Sequence, residues 1–438
     1  MDKKRKIIFL TVGTRGDLYP FLGLAVELQA RGHPVMLMGS EDFRRPTEDA
    51  SIEFESILTQ EEHDAVMNHP QFWKSYVGLK LCLTKIAVPT FKRSYQAIER
   101  QLTRQGCVLV CNNIVLGGLV AAEKFNLPVA SVYLHPYSHF SLIDPPMDTP
   151  ALNLLYDVVG PRIGGFLLRR VQRGLDRLLA PINELRHDVG LASVNDAFSA
   201  WRDSIPIIID LWPDWFCSPK ADWPAQAART GFINYDGPVP AGQPWINKLG
   251  LADFLERKPL VFSMGSGMIQ NYKTCVQLFS DTCEELNREG LLVSPAVHGC
   301  TKVSERFRVI EPVPFAELFS SASHILTHGG IGTVARALEA GKPMLVAPLA
   351  FDQFDNGHFV QKLGVGLCLP PFRRLTAGRL AAAFEKLDAG EFASRCLEVK
   401  ATMLRENGLG VTVAQLEKAF SLDARPLVQT NNDVAPAP

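Results

Sequence analysis

"KIIFLTVGTRGDLYPFLGLAVELQARGHPVMLM", residues 6–38, holds in order an apolar run, a glycine-bearing turn, a helical pattern and a second apolar run. Lys6 to Gly13 reads as a buried strand, because a short continuous apolar run bounded by a turn suits a strand covered on both faces. Leu18, Phe21, Leu22, Ala25 and Leu28 then recur at helical spacing, and Arg31-Gly32-His33 supplies a stop before the strand Pro34 to Met38. This is one βαβ unit. A chain that repeats the order builds a wound α/β fold on a parallel sheet.

The order does repeat. Val108 to Cys111 and Pro128 to Tyr133 read as strands around a helical Val115 to Phe125. Residues 213–250 are dense in Pro, Gly and Trp and lack periodicity, which marks the linker region. The chain then begins again, with a strand at Pro259 to Ser263, a glycine turn at Met264 to Gly267 and a helix at Tyr272 to Asn287. Strands at Leu291 to Val297, Arg308 to Val313, His324 to Thr327, Met344 to Pro348 and Gly366 to Leu369 continue it. The restart predicts two facing Rossmann-like domains with a cleft between them: residues 1–235, a linker at 236–254, and residues 255–405. A helix within 406–422 is expected to pack back on the first domain, and residues 423–438 to form a disordered tail.

Composition bounds the function. At 438 residues the chain is long enough for two or three domains, and 45 Lys and Arg against 46 Asp and Glu exclude a global basic field for nucleic acid. The nine cysteines are scattered, with no C-x-x-C pair and no zinc spacing, so they read as reduced core thiols of a cytoplasmic protein. No apolar stretch approaches the roughly 18 residues of a spanning helix. Between residues 153 and 187, Arg162, Arg169, Arg170, Arg173, Arg177 and Arg186 outnumber Asp157, Asp176 and Glu184 on a long amphipathic helix beside Phe166, Leu167, Leu168, Val171 and Leu175. Such a helix is either a solvated cover or a mouth for an anionic amphiphile, with peripheral contact to an anionic membrane surface.

The densest chemistry lies in "THGGIGTVARALEAGKPMLVAPLAFDQFDN", residues 327–356. His328, Gly329, Gly330, Gly332 and Thr333 fall between a strand and a helix, so backbone N–H groups and the positive helix end face whatever sits above the sheet. A diphosphate suits that place. Asp352, Gln353 and Asn356 follow the next strand at its carboxyl end, and their carboxylate and amide groups suit paired hydrogen bonds to sugar hydroxyls.

At this spacing the segment resembles the donor-binding signature of the family 1 nucleotide-sugar glycosyltransferases, whose GT-B fold is two facing Rossmann domains. The GTRGD turn, the RGH helix ending and the Ser263 to Gly267 turn extend the resemblance over nearly the whole chain. It implies a donor set of Gly265, Ser266, Val313, His328, Gly329, Gly330, Gly332, Thr333, Asp352, Gln353 and Asn356. "APINELRHDVGL" at 180–191, "ADWP" followed by "TGF" within 221–232, and "FDQFDN" at 351–356 look like the rhamnosyltransferases of rhamnolipid synthesis, which join dTDP-L-rhamnose to a hydroxyalkanoyloxyalkanoate lipid. Related bacterial enzymes act on sterols, carotenoids and macrolides. Many plant members carry Glu eight residues after the motif histidine to hold the ribose hydroxyls. Arg336 stands here instead, which eases acceptance of a deoxyribose nucleotide.

The implied reaction is an inverting direct displacement, needing a base on one wall and leaving-group stabilisation on the other. Asp17 is the base by resemblance to the GTRGD turn of bacterial natural-product enzymes, although Asp at a strand-to-helix turn is also a favoured N-cap. Pro20, read as the first helical residue, would make Tyr19 the cap and leave Asp17 in the loop. His135 in "YLHPYS" is a second candidate for base or acceptor contact, weighed against a buried hydrogen-bonded histidine. His33 reads as a helix C-terminal cation.

No D-x-D pair lies near the diphosphate site, so no metal or resident cofactor is expected, and Asp352 and Asp355 read as sugar and loop contacts. Phe72, Trp73, Tyr76, Val77 and Leu79 suit either an amphiphilic acceptor or a core. Three alternatives stand beside the lipid transferase: a UDP-glucose-dependent sterol or carotenoid enzyme, a nucleotide-sugar epimerase, and a non-catalytic sugar-nucleotide binder. A nicotinamide dehydrogenase is disfavoured, because GTRGD is not G-x-G-x-x-G even though Glu41 lies near the ribose-carboxylate place.

Overall fold

A computed structural model of the chain describes residues 5–102, 106–148, 150–238, 244–265 and 272–422. It has two α/β halves, each built on a seven-stranded sheet. The first contains β1 (Lys6–Thr11), β2 (Val35–Ser40), β3 (Glu53–Leu58), β4 (Cys107–Asn112), β5 (Val129–Tyr133), β6 (Ile207–Asp210) and β7 (Ala227–Arg229). Their order is β3-β2-β1-β4-β5-β6-β7, parallel throughout. Ile7, Ile8, Phe9 and Leu10 are fully buried, as a central strand covered on both faces requires, and each contributes about 1.5–3 kcal/mol of hydrophobic stabilisation.

The second sheet contains β8 (Leu260–Ser263), β9 (Gly290–Val293), β10 (Cys300–Lys302), β11 (Phe307–Ile310), β12 (Ile325–Thr327), β13 (Met344–Val346) and β14 (Gly366–Cys368). Their order is β10-β11-β9-β8-β12-β13-β14, with β10 antiparallel to β11 at the edge. In both sheets the order reverses beside the first strand, at β1/β4 and at β8/β12. Open α/β sheets bind ligands at such switch points, outside the carboxyl ends of the strands.

Two expectations change here. Residues 213–250 are not all linker: Ala227–Arg229 pairs with β6 as the sheet's edge strand, too short to show a period. The helix expected within 153–187 spans Pro150–Leu179 but is broken at Gly160 (φ 76°, ψ 168°), and a separate helix follows at Ile182–Asp188.

The chain crosses between halves twice, and the crossings touch. Gly231 (φ 96°) lies against Gly408, where a Cβ would come 2.3 Å from the Phe232 carbonyl. Only glycine fits that approach. The last helix, Gly408–Ala419, lies on the first half: Val413 and Leu416 join the core of the helix Arg15–Ala30, and Thr412 Oγ1 bonds Thr230 Oγ1 at 2.7 Å. Glu417 accepts from His33 Nε2 at 3.0 Å and Arg31 Nη1 at 3.1 Å. His33 is buried, and the C-terminal helix supplies its partner.

Candidate active site in the interdomain cleft

The turn after β1 is built around Asp17. The helix starts at Arg15 with Thr14 as N-cap, so Asp17 is its third residue and closes a capping box. Asp17 Oδ2 accepts from Thr14 N at 2.7 Å and from Thr14 Oγ1 at 3.0 Å. This corrects the expectation that Tyr19 caps the helix. Pro20 lies inside the helix, where it removes one backbone bond near the first turn, and the helix nevertheless begins at the Thr14–Asp17 capping box. Gly13 (φ 127°) makes room, since a Cβ there would stand 2.5 Å from Asp17 Oδ2. His63, nearly buried on the helix Gln60–Met67, holds the same turn by bonding the Gly13 carbonyl through Nε2 at 2.9 Å.

Capping and facing the cleft prove compatible. Burial raises the Asp17 pKa, the Thr14 bonds and the charge of His135 oppose that, and Asp352 from the other half adds to it. Asp17 therefore lies close enough to His135 of its own half and to Asp352 of the other for their charges to act on it. His135 is half-buried, with Ser138 Oγ 3.2 Å from its Nδ1. The buried, hydrogen-bonded histidine of this loop is instead His139, stacked on Tyr133 and 2.7 Å from Asp210 Oδ1. Two histidines four residues apart in one loop are indistinguishable by sequence spacing alone.

On the opposite wall the turn after β12 leads into the helix Ile331–Ala340. Its N-cap is Gly330 with no side-chain cap, so the first backbone N–H groups keep the free donors that bind anions. The His328 ring sits between two glycines: a Cβ on Gly265 would lie 2.8 Å from its Cε1, and one on Gly330 2.6 Å from its Nε2. Its Nδ1 is buried without a well-formed hydrogen bond. Burial lowers the His328 pKa against the opposing pull of Asp352 and the Ser263 carbonyl, which favours the neutral ring at neutral pH.

Gly329 (φ 95°) is needed by the chain itself, because a Cβ would stand 2.7 Å from Val346. At Gly332 a Cβ would meet no atom within 4 Å. Exposed Gly332 and half-exposed Thr333 lie in the first turn of that helix. Val313 is half-buried in the loop after β11, Gly265 follows β8, and Ser266 lies outside the described residues.

The loop after β13 is tied to this turn. Asn356 Nδ2 donates to the Gly329 carbonyl at 2.9 Å and to Asp352 Oδ2 at 2.7 Å. Gln353 is buried and its Oε1 accepts from Leu349 N and Ala350 N at 2.8 and 3.2 Å, so it shapes the loop. Asp352 stays partly exposed. Asp355 makes a loop contact: it is buried and accepts from Met147 N of the first half at 3.2 Å. Burial pushes its pKa up to about 7, with Asp148 and Asp352 adding and Lys220 opposing.

Arg336 is committed as well. It bonds Asp236 Oδ1 at 2.9 Å, and Asp236 Oδ2 takes Ala316 N at 3.1 Å, fastening the crossing segment to the second half. Phe72 is buried, Trp73 half-buried and Tyr76 exposed. Among the described residues no group of three or more His, Cys, Asp or Glu could hold a metal ion, and no helix is long and apolar enough to cross a membrane. Asp236, His63 and Phe351 were not anticipated from sequence. Arg336, standing where an acid was expected, was the one signal pointing toward Asp236.

Comparison with known proteins gives the architecture its chemistry. Residues 7–129 match the glycosyltransferase family 28 N-terminal domain, and residues 282–415 match the C-terminal domain of the erythromycin biosynthesis protein CIII-like group. A sterol 3-beta-glucosyltransferase of Arabidopsis thaliana is 23% identical over 433 residues, covering 93% of this chain and 67% of that one. The calicheamicin glycosyltransferase structure superposes with a TM-score of 0.67 at 19% identity, covering 97% of this chain and 100% of the other. The spinosyn rhamnosyltransferase complexed with thymidine diphosphate gives 0.62 at 18% identity, covering 94% and 100%. With the glycosyltransferase family 28 N-terminal domain and the erythromycin CIII-like C-terminal domain matched in order on two facing Rossmann-like halves, the chain is a GT-B nucleotide-sugar glycosyltransferase, an enzyme of the hexosyltransferase class.

Proposed function

We propose that the chain is an inverting transferase that moves a hexose or 6-deoxyhexose, best L-rhamnose from dTDP-L-rhamnose, to the hydroxyl of a lipid such as a hydroxyalkanoyloxyalkanoate. The observation that carries the transfer reading is the pairing of walls. Asp17, whose Oδ2 is held by Thr14, feels the charge of Asp352, and Asn356 ties Asp352 to the Gly329 turn, where Gly330, Gly332, Thr333 and His328 would cradle a diphosphate. Asp17 takes the acceptor proton as the hydroxyl oxygen attacks the anomeric carbon. The free N–H groups at the helix end and the neutral His328 ring then hydrogen-bond the departing diphosphate. Asp352 takes sugar hydroxyls with the oxygen that Asn356 leaves open, and His135 lies on the acceptor side.

Arg336 supports a deoxyribose donor, because it stands where a ribose-holding glutamate would and ties up the neighbouring carboxylates of Asp236 and Glu339. An amphiphilic acceptor is supported by Tyr76, Leu154, Val158, Ile163 and Phe166, all more than half exposed, the last four on a helix that also carries Arg162, Arg169, Arg170 and Arg173. The exposed apolar side chains on either side of the Gly160 break, with the exposed arginines after it, support peripheral contact with an anionic membrane. The sterol enzyme of Arabidopsis favours a second reading, UDP-glucose transfer to a sterol. Incubation with dTDP-rhamnose or UDP-glucose against hydroxy-fatty-acid and sterol acceptors, with products identified by mass, decides between them. Inertness toward every lipid would overturn both, and conversion of the donor alone would indicate an epimerase.

A further inference from the structure

Phe351 stands at the tip of the loop after β13 with φ 58°, in the left-handed region that a bulky side chain disfavours. The residues on either side are pinned. Leu349 N and Ala350 N are held by Gln353 Oε1, and Asp352 Oδ2 is held by Asn356, which also grips the diphosphate turn at Gly329. Within the second half Gln353 N also reaches the Ala350 carbonyl at 3.4 Å, so the backbone turns tightly at the residue between them. The Phe351 ring, however, leaves its own domain. It lies 5.4 Å from Phe72 and 6.3 Å from Trp73, rings of the first half that are themselves 4.9 Å apart. Gly78 completes the seat, where a Cβ would come 2.6 Å from the ring's Cζ.

We propose that Phe351 is a positioning residue for the donor sugar: its ring, seated on Phe72, Trp73 and Gly78 of the acceptor half, holds the left-handed backbone that aims Asp352 into the cleft. The sugar-recognition loop is therefore set only while the two halves are together. Separation removes the ring contacts, the backbone relaxes, and Asp352 turns away. This rests on the reading of Asp352 as a sugar contact. It adds that acceptor-half residues remote from the diphosphate control how strongly the sugar is held.

The measurement is the sugar increment, the ratio of dissociation constants for dTDP and dTDP-glucose, and for UDP and UDP-glucose, by calorimetry. Phe351→Ala loses the ring that holds the left-handed backbone and, carrying a Cβ, still disfavours that backbone, so the increment is expected to fall roughly three- to tenfold, the span of an aromatic contact, with the bare diphosphate unchanged. Phe351→Gly loses the ring but adopts a left-handed backbone freely, so it should fall less. Trp73→Leu, from the other half, should lower the same increment and combine non-additively with Phe351→Ala. It also serves as the test should the Phe351 variants fail to fold. An unchanged increment, or Gly no better than Ala, overturns the positioning role while leaving the donor site standing. Failure of the wild-type chain to bind any of the four probes overturns the donor site and this proposal together.

Discussion

Replacing Asp17 with Asn separates its cap from its proposed role as base, because both Thr14 bonds fall on one oxygen, Oδ2. Oδ2 receives both Thr14 bonds, so the isosteric amide oxygen can keep the capping box while the amide nitrogen takes the place facing the cleft. Folding stability is then expected to stay within about 0.5 kcal/mol of wild type, whereas Asp17→Ala should lose about 1 kcal/mol with the cap. Turnover is expected to fall in both, by about 10²–10⁴, the range for a positioned general base and equivalent to roughly 3–5 kcal/mol of barrier. Calorimetric melting gives the first quantity, and mass-detected transfer at saturating donor and acceptor gives the second. Nucleotide affinity should not move. Because burial raises the Asp17 pKa, wild-type activity should climb as pH rises through that raised value, and the Asn variant should lose the climb. Turnover within threefold of wild type in an intact Asn variant would refute the base assignment. An Asn variant as unstable as Ala, with normal turnover per folded molecule, would reduce Asp17 to a cap.

Three further outcomes are expected. Gly332→Ala meets no chain atom, so melting should stay level or rise by up to about 1 kcal/mol, while dTDP and UDP affinity drops about tenfold or more; unchanged affinity in calorimetry would remove the helix end from the donor site. Asp355 has its pKa raised from 3.8 to about 7, so the folded state holds its proton more tightly. The stability it contributes is complete below about pH 4 and lost as pH rises through 7. Asp355→Asn should therefore match wild type in acid and exceed it above pH 7, and parallel melting curves across pH would contradict the assigned burial. Glu417→Gln leaves Arg31 and His33 without their buried anion and should lose about 1–3 kcal/mol in urea denaturation, an unchanged midpoint showing that the link is idle.

The wound α/β order was legible because period and punctuation agree: Ile7 to Leu10 are buried on both faces, and the glycine turns fall at the switch points. The diphosphate turn was legible for a local reason, since a glycine run opening a helix carries its geometry within a few residues. What was hidden depends on contacts distant in sequence or on ties between local rules. Pro20 suggested a late helix start, but reciprocal Thr14 and Asp17 bonds start it at Arg15. His139 rather than His135 is buried because Asp210 ends the neighbouring strand, 71 positions later. Asp355 and Asp352 look alike in FDQFDN, yet three residues along the chain turn one toward Met147 of the other half and leave the other near the cleft. Nothing near Phe351 announces its left-handed backbone, because the reason lies at Phe72, Trp73 and Gly78.

The glycine contact between the two crossings has a mechanical meaning. Segments joining the halves at separate places would resist rotation like two bolts in a plate, but Gly231 and Gly408 bring both to one point, where neither carries a side chain to jam. The pair works as a pivot. Turning about it keeps the Thr230 and Thr412 hydroxyls together, and what it parts is the set of contacts between the halves, Phe351 on Phe72 and Asp355 on Met147. The displacement of any group then scales with its distance from that pivot, so the cleft can gape at its outer lip while the chain nearest the crossings barely moves. Bulk added at either glycine would register as an altered swing rather than an altered reaction.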